Sequence, residues 1–381
     1  MRKWITSSTQ LTTGIARMKK RLYGLDYLRI AAAIIIYFFH YNINIGGIFM
    51  DCALDDLLAT GNVVMTLFFM ISGFALYYNY SDRDFASLKE LGSFYKKRII
   101  AIAPLYFASF LCWFFVMGIH MDLPQLLSVL PIGLTMSFNV VLGINGYGFG
   151  GYLWFLSAMV FCYLMFPLLA TIIRQQNKKQ RLSTAILFYI IIVSSGLSLH
   201  LITGDVTAAY ASCVFRCLEF ALGMIVCALF KDGVSLKKFE SLAFLGLAAL
   251  TMILRGVFYT LIPVNNQYIS DFYLLPMYAL LILAGASLKE NDLLYKAAST
   301  KAVQFFSKLT FAIYVSQQWV FHFYKAAVAA WEESHVWFTH EILMRHDRLV
   351  ITLGCLALSI ILTLYSDTVK KWFLNRWEAV S

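Results

Sequence analysis

Asp26-Tyr27-Leu28-Arg29-Ile30-Ala31-Ala32-Ala33-Ile34-Ile35-Ile36-Tyr37-Phe38-Phe39-His40 is the stretch on which the fold turns. Read as a helix, it sets Arg29 and His40 eleven residues apart, close to three whole turns. Both side chains then project from one face, roughly 16 Å apart along the axis. Ionisable groups on an otherwise apolar helix are costly at membrane depth and are functional suspects by default, while the triple Ala lets another helix approach closely. This helix is expected to carry the chemistry.

Composition supports a membrane setting for it. The 381 residues are 60% hydrophobic and only 14% charged, with a mean hydropathy of +0.70, against roughly 45–50% apolar and 25% charged in soluble domains. Many Trp and Tyr sit near the ends of apolar runs, as suits the headgroup layer. The formal charge of +10 comes from basic residues flanking those runs, a topology signal and not a nucleic-acid stripe. Of the seven cysteines only Cys52 lies away from apolar runs, and there is no C-x-x-C, so neither a disulfide framework nor a zinc or redox site is indicated. The basic N-terminus lacks a small-residue cleavage site, so a retained anchor is expected.

Ten apolar runs of spanning length are read at about 25–44, 57–79, 99–119, 152–173, 183–202, 210–230, 239–257, 271–288, 303–325 and 349–366, each near the roughly 20 residues a bilayer needs. Positive charges alternate between their connections. Arg17, Lys19, Lys20 and Arg21 precede the first run, and Lys89, Lys96, Lys97 and Arg98 follow the second. Arg174, Lys178, Lys179 and Arg181 follow the fourth, whereas Asp51, Asp55, Asp56, Asp122 and Asp205 occupy the intervening loops. The alternation predicts cytoplasmic termini. It also requires the Pro131-interrupted stretch 126–143 to be a re-entrant or interfacial segment, since a further crossing would break it. The expected architecture is an all-α polytopic bundle: residues 1–22 a cytoplasmic segment, 23–368 the membrane domain, 369–381 a cytoplasmic tail.

Four constellations stand out. Arg29 and His40 support two readings: Arg29 snorkelling to headgroups with His40 bonded to a neighbouring helix, or Arg29 anchoring an anion from the cytosol with His40 as a general base. Lys96, Lys97 and Arg98 are either a topology signature or a phosphate clamp. Arg216 and Glu219, one turn apart within 210–230, either pair with each other or serve catalysis, Glu219 orienting an imidazole. Ser72, in Phe68-Phe69-Met70-Ile71-Ser72-Gly73-Phe74, is a helix-packing residue before it is a nucleophile. The glycine-rich 143–151 is read as a turn. The loop 326–348, with His335, His340, His346 and several carboxylates, lacks H-E-x-x-H spacing and is read as a solvated loop touching substrate, a metal site being the lesser alternative.

In these residues the sequence resembles acyltransferase family 3, integral membrane enzymes that modify bacterial surface glycans. The resemblance runs over essentially the whole chain: Leu25-Asp26-Tyr27-Leu28-Arg29 through His40, the Phe68–Phe74 segment, Phe94 through Arg98 to Pro104, Trp154-Phe155-Leu156-Ser157 leading to Tyr163 and Pro167, and Arg216-Cys217-Leu218-Glu219-Phe220 through Gly223. The sequence departs from the pattern at Ala101, where an Arg is common, at Met159, where a Ser-x-Glu pairing is lost, and at Gln317, which stands in place of a late His. The resemblance implies ten crossings of a bacterial cell membrane, a cytoplasmic acyl-CoA donor such as acetyl-CoA, and a glycan hydroxyl as acceptor, with no metal. On that reading Arg29, with Arg98 and Lys97, binds donor phosphates; His40 is base or acyl relay; Glu219 orients His40; and Arg216 stabilises developing negative charge. The rivals are an exporter of a glycan or lipid-linked precursor, whose pathway midplane charges also mark, and a scaffold for other envelope enzymes.

Overall fold

The computed structural model describes residues 20–46, 58, 61–116, 118–138, 140, 153–203, 210–235, 240–261, 267–334 and 347–378. Among them there is no strand. The helices are α1 (Gly24–Asn44), α2 (Val64–Tyr80), α3 (Leu88–Val116), α4 (Leu123–Leu134), α5 (Leu153–Gln175), α6 (Lys178–Thr203), α7 (Cys213–Lys231), α8 (Glu240–Leu261), α9 (Gln267–Ser287), α10 (Leu293–Ala298), α11 (Lys301–Ser334) and α12 (Asp347–Glu378). Each of the ten expected apolar runs overlaps one of them.

By length and composition six of these helices qualify to cross a membrane: Gly61–Tyr80, Leu88–Val116, Leu153–Gln175, Lys178–Leu199, Cys213–Lys231 and Asp347–Arg376. The expected count of ten therefore stands at six by this measure. Ser241–Val257 and Tyr273–Ser287 are apolar but shorter, while Gly24–Asn44 buries Asp26 and Lys301–Ser334 buries Ser307, Thr310, Ser316 and Gln317. Helix α4, at twelve residues, reaches only about 18 Å and cannot cross a hydrocarbon core of about 30 Å. Its start is set by Asp122, whose carboxylate accepts from the Gln125 N–H at 2.8 Å, a side-chain cap on an otherwise orphaned donor. Its far end is held to α3, where the Tyr106 hydroxyl donates to the Gly133 carbonyl at 2.8 Å.

At the centre α2 lies against α7. Gly73 and Gly223 make the crossing: a Cβ on Gly73 would strike the Phe220 carbonyl, and one on Gly223 the Met70 carbonyl. Small residues of this kind let backbones pack where lipid supplies no hydrophobic drive between helices. Gly223→Val is expected to destabilise the protein by about 3 kcal/mol, because backbone cannot move aside for the added carbons. Thermal unfolding in detergent reads this, and an unchanged midpoint would refute the close crossing.

Helix α1 packs along α11, burying Leu25, Leu28, Ala32, Ala33 and Ile36. Helices α6 and α12 lie outermost and expose Leu187, Ile190, Leu201, Leu353, Ile361 and Leu364. Apolar faces of this kind suit contact with lipid. The helix α12 continues without interruption past 368 to Glu378.

The basic stretches converge at one end of the bundle. Lys20 pairs with Glu290 at 2.9 Å, Lys231 with Asp82 at 3.0 Å, and Arg174 donates to the Arg83 carbonyl at 3.0 Å. There α5 turns into α6 through Asn177, which exchanges backbone-to-side-chain bonds with Gln180 at 2.8 and 2.9 Å, a reciprocal cap that forces a tight reversal. At the opposite end Tyr41 donates to Asp347 at 3.3 Å and Lys325 to the Asn44 side chain at 3.2 Å. The glycine-rich 143–151, the aspartates of the first loop, and His335, His340 and His346 lie outside the described residues.

Candidate functional site

The site grows from the first turns of α1. Arg29 Nη1 donates to Asp26 Oδ1 at 3.0 Å, an i,i+3 pair on one face. Asp26, 1% exposed, also accepts from Arg21 Nη2 at 3.0 Å and from the Ser307 hydroxyl of α11 at 2.7 Å. A buried carboxylate with three donors is fully compensated, and it fixes two guanidinium groups beside each other.

Arg29 lies at the junction of two hollows. One, of ≈ 220 Å³, is shared with Lys20, Arg21, Asp26, Tyr78 and Asn79. Its rim carries Lys20, Arg21 and Arg29, and the hydrogen bond that Lys20 donates to Glu290 holds the ammonium above its ordinary range. The second, of ≈ 200 Å³, runs into the bundle between Phe68, Ser72, Phe155, Tyr163, Phe311 and Tyr314 and is mostly apolar. Arg29 thus borders a hollow lined by basic residues on one side and a mostly apolar one on the other.

Arg98 joins this region from α3. Its Nη2 donates to the Tyr80 hydroxyl at 2.9 Å, and its guanidinium lies 5.1 Å from that ring, which a second guanidinium, that of Arg83, also approaches at 4.8 Å. Tyr163 lies within electrostatic reach of both Arg98 and Arg29. Two of the three expected donor-side cations therefore approach one wall of the inner hollow. Lys97 is exposed and points away from it.

His40 lies beyond the far end of that hollow. Its ring packs 5.1 Å from Phe39 and 6.2 Å from Tyr314, so Tyr314 separates the cavity from the imidazole. Gln317, one turn along α11, stands beside it.

Arg216 and Glu219 form a separate buried cluster. Arg216 Nη1 donates to both carboxylate oxygens, at 2.9 and 2.7 Å, and to Thr66 at 3.0 Å; its Nε donates to the Tyr210 carbonyl at 2.8 Å. Phe69, Trp154 and Tyr210 surround the guanidinium at 5.5, 5.6 and 4.8 Å. Thr66 Oγ1 also donates to Glu219 at 3.1 Å. The hydrogen bonds of Glu219 thus go to Arg216 and Thr66, and none goes to His40. Between the pair and the imidazole lie three rings in series: Phe69 to Phe155 at 5.2 Å, Phe155 to Tyr314 at 4.9 Å, then Tyr314 to His40. Any influence of Glu219 on His40 passes through packing and not through a direct bond.

Several participants have no separate place in the sequence reading. Asp26 was legible as an acid three residues before Arg29, but its third partner, Ser307, is 281 positions away. Thr66 gives no signal at all. Arg255, 3% exposed, is a buried cation on α8 that touches Met252 at 4.0 Å. The three positions where the chain departs from the pattern it resembles come together here: Ala101 and Met159 line the inner hollow, and Gln317 faces the imidazole. Among the described residues no group of three or more His, Cys, Asp or Glu could hold a metal ion.

A family model described as an acyltransferase domain matches residues 22–365, nearly the whole chain. Neither the curated proteins nor the solved structures contain a match to it.

Proposed function

Because the chain belongs to acyltransferase family 3, we propose that it is a multi-pass membrane O-acyltransferase moving an acyl group, such as acetyl, from cytoplasmic acyl-CoA to a hydroxyl of a cell-surface or lipid-linked glycan. In this reading the chain makes ten crossings of a bacterial cell membrane, with both termini and the basic end of the bundle facing the cytosol, in keeping with the charge alternation of the loops. The observation that carries the reading is the position of Arg29 on the wall shared by a hollow lined with basic residues and a mostly apolar one. That pairing of environments matches a donor with phosphates at one end and a thioester at the other.

Each residue then has a task. Arg29 and Arg21, held by Asp26, receive donor phosphate, with Arg98 and Lys97 adding positive charge at the approach; Arg is shaped for such anions. The acyl arm lies along Phe68, Phe155 and Phe311 with its thioester toward Tyr314. His40 takes the proton of the acceptor hydroxyl, whose oxygen attacks the thioester carbonyl carbon. A C–O bond forms, the C–S bond breaks, and the thiolate leaves with the proton returned by the imidazolium. Rotation of Tyr314 brings the imidazole and the thioester into contact. Arg216 and Glu219 hold the ring series that backs His40.

The test is transfer from labelled acetyl-CoA to a glycan extract by purified protein in vesicles, with CoA binding measured separately. Arg29→Ala is expected to weaken CoA binding roughly tenfold to a hundredfold, the worth of one or two charge-assisted hydrogen bonds. Asp26 keeps Arg21 and Ser307 in that variant, so the fold is retained. Wild-type CoA affinity in Arg29→Ala would overturn the donor assignment, and absence of CoA binding by folded wild type would overturn the donor itself.

A further inference from the structure

We infer that Gln317 is a positioning residue for His40: its side-chain carbonyl accepts the imidazole Nδ1–H and leaves Nε2 as the unprotonated, basic nitrogen. The inference rests on the reading of His40 as the base, and extends it to the choice of tautomer.

Gln317 is fully buried, at 0% exposure, on the face of α11 that packs against α1. Its amide nitrogen donates to the Tyr314 carbonyl at 3.2 Å. That bond fixes the orientation of the amide, because a flipped amide would set its carbonyl oxygen against another carbonyl oxygen. The end left over is Oε1, an acceptor that is enclosed and without a hydrogen-bond partner. Next to it stands His40, whose Nδ1 is equally enclosed and without a partner. Two buried polar atoms left unmatched beside each other, one an acceptor and one able to donate, are a pair awaiting closure, since buried polar groups are nearly always bonded. A small rotation of either side chain joins them.

The consequence is chemical. Neutral imidazole carries its single proton on one nitrogen, and the hydrogen bond made by that nitrogen determines which is the base. A carboxamide accepts without itself titrating, so it holds the tautomer while adding no charge. Phe39, Tyr314 and Gln317 pack against the ring. Of the titratable residues nearby, Tyr37 shares a hydrogen bond with Thr352 of α12 and Tyr41 engages Asp347. A carboxylate introduced at 317 would therefore face the imidazole directly.

Gln317→Met keeps length and apolar volume but removes the acceptor. It is expected to lower kcat roughly tenfold to a hundredfold, as loss of a histidine's orienting partner does elsewhere, with the donor KM unchanged. Gln317→Glu restores an acceptor and adds a charge that favours imidazolium. The base must be neutral to act, so the rise of kcat/KM with pH is expected to move to higher pH by about one unit or more. Wild-type kcat and pH profile in Gln317→Met would overturn the inference. A readout independent of turnover accompanies these: isotope-labelled histidine in vesicle-embedded protein, with the His40 signal identified by its loss in His40→Gln. The Nδ1–H form in wild type, lost in Gln317→Met, is expected; an Nε2–H form in wild type overturns the inference. If the Nδ1–H form is found but His40→Gln remains active, the contact stands and the base assignment falls.

Discussion

His40→Gln is expected to lower kcat for acyl transfer by roughly 10²–10⁴, the usual contribution of a positioned general base, while CoA affinity stays at the wild-type value. The two effects separate because His40 lies beyond the Tyr314 ring, at the opposite end of the inner hollow from the Arg29 guanidinium. The substitution removes a ring of modest size from a half-buried position, so loss of folding is not the expected cause. Single-turnover transfer from labelled acyl-CoA, with CoA binding measured on the same preparation, decides the matter. Full activity would remove His40 from the mechanism, and loss of CoA binding along with turnover would mean that the helix, not the base, had been disturbed.

The second large effect concerns the Arg216–Glu219 pair. Glu219→Leu leaves a guanidinium at 0% exposure without its carboxylate, and breaking a buried pair from one side costs about 3–5 kcal/mol. The double variant Arg216→Met/Glu219→Leu removes both charges and is expected to recover most of that loss, because a buried ion pair is often replaceable by apolar residues of similar volume. Its thermal midpoint should approach that of wild type while turnover stays low, since Phe69, the first ring of the series leading to His40, no longer packs on a cation. Wild-type turnover in the folded double variant would confine the pair to stabilising the α2–α7 crossing.

That pair shows how far residue spacing reaches. Arg216 and Glu219 at i,i+3 are legible as a mutual pair, and the structure joins them at 2.7 Å. That Glu219 also orients His40 is what residue type and resemblance imply, and neither carries information about azimuth around the bundle. Three intervening rings come from α2, α5 and α11, and no local pattern on any of these helices announces the others. Arg29 and Arg98 fared differently: both lie at the basic end of their helices, so sharing a side already brought them near, and packing around Tyr163 completed the approach. Lys97 neighbours Arg98 in sequence but points outward, because successive residues on a helix lie about 100° apart.

The sequence by itself determined that the chain is helical and rich in apolar runs of spanning length, and, from the alternation of loop charge, that the stretch 126–143 does not cross. These are properties of composition, of apolar run length and of the charges that flank each run. Only the tertiary structure decided that Asp26 ties Arg21, Arg29 and Ser307 together, that two hollows meet at Arg29, and that Gln317 stands against His40. Each of these depends on which face of one helix meets which face of another. In a lipid-facing bundle that choice is made by close packing at sites such as Gly73 and Gly223 and by buried polar contacts between distant residues, which no local periodicity encodes.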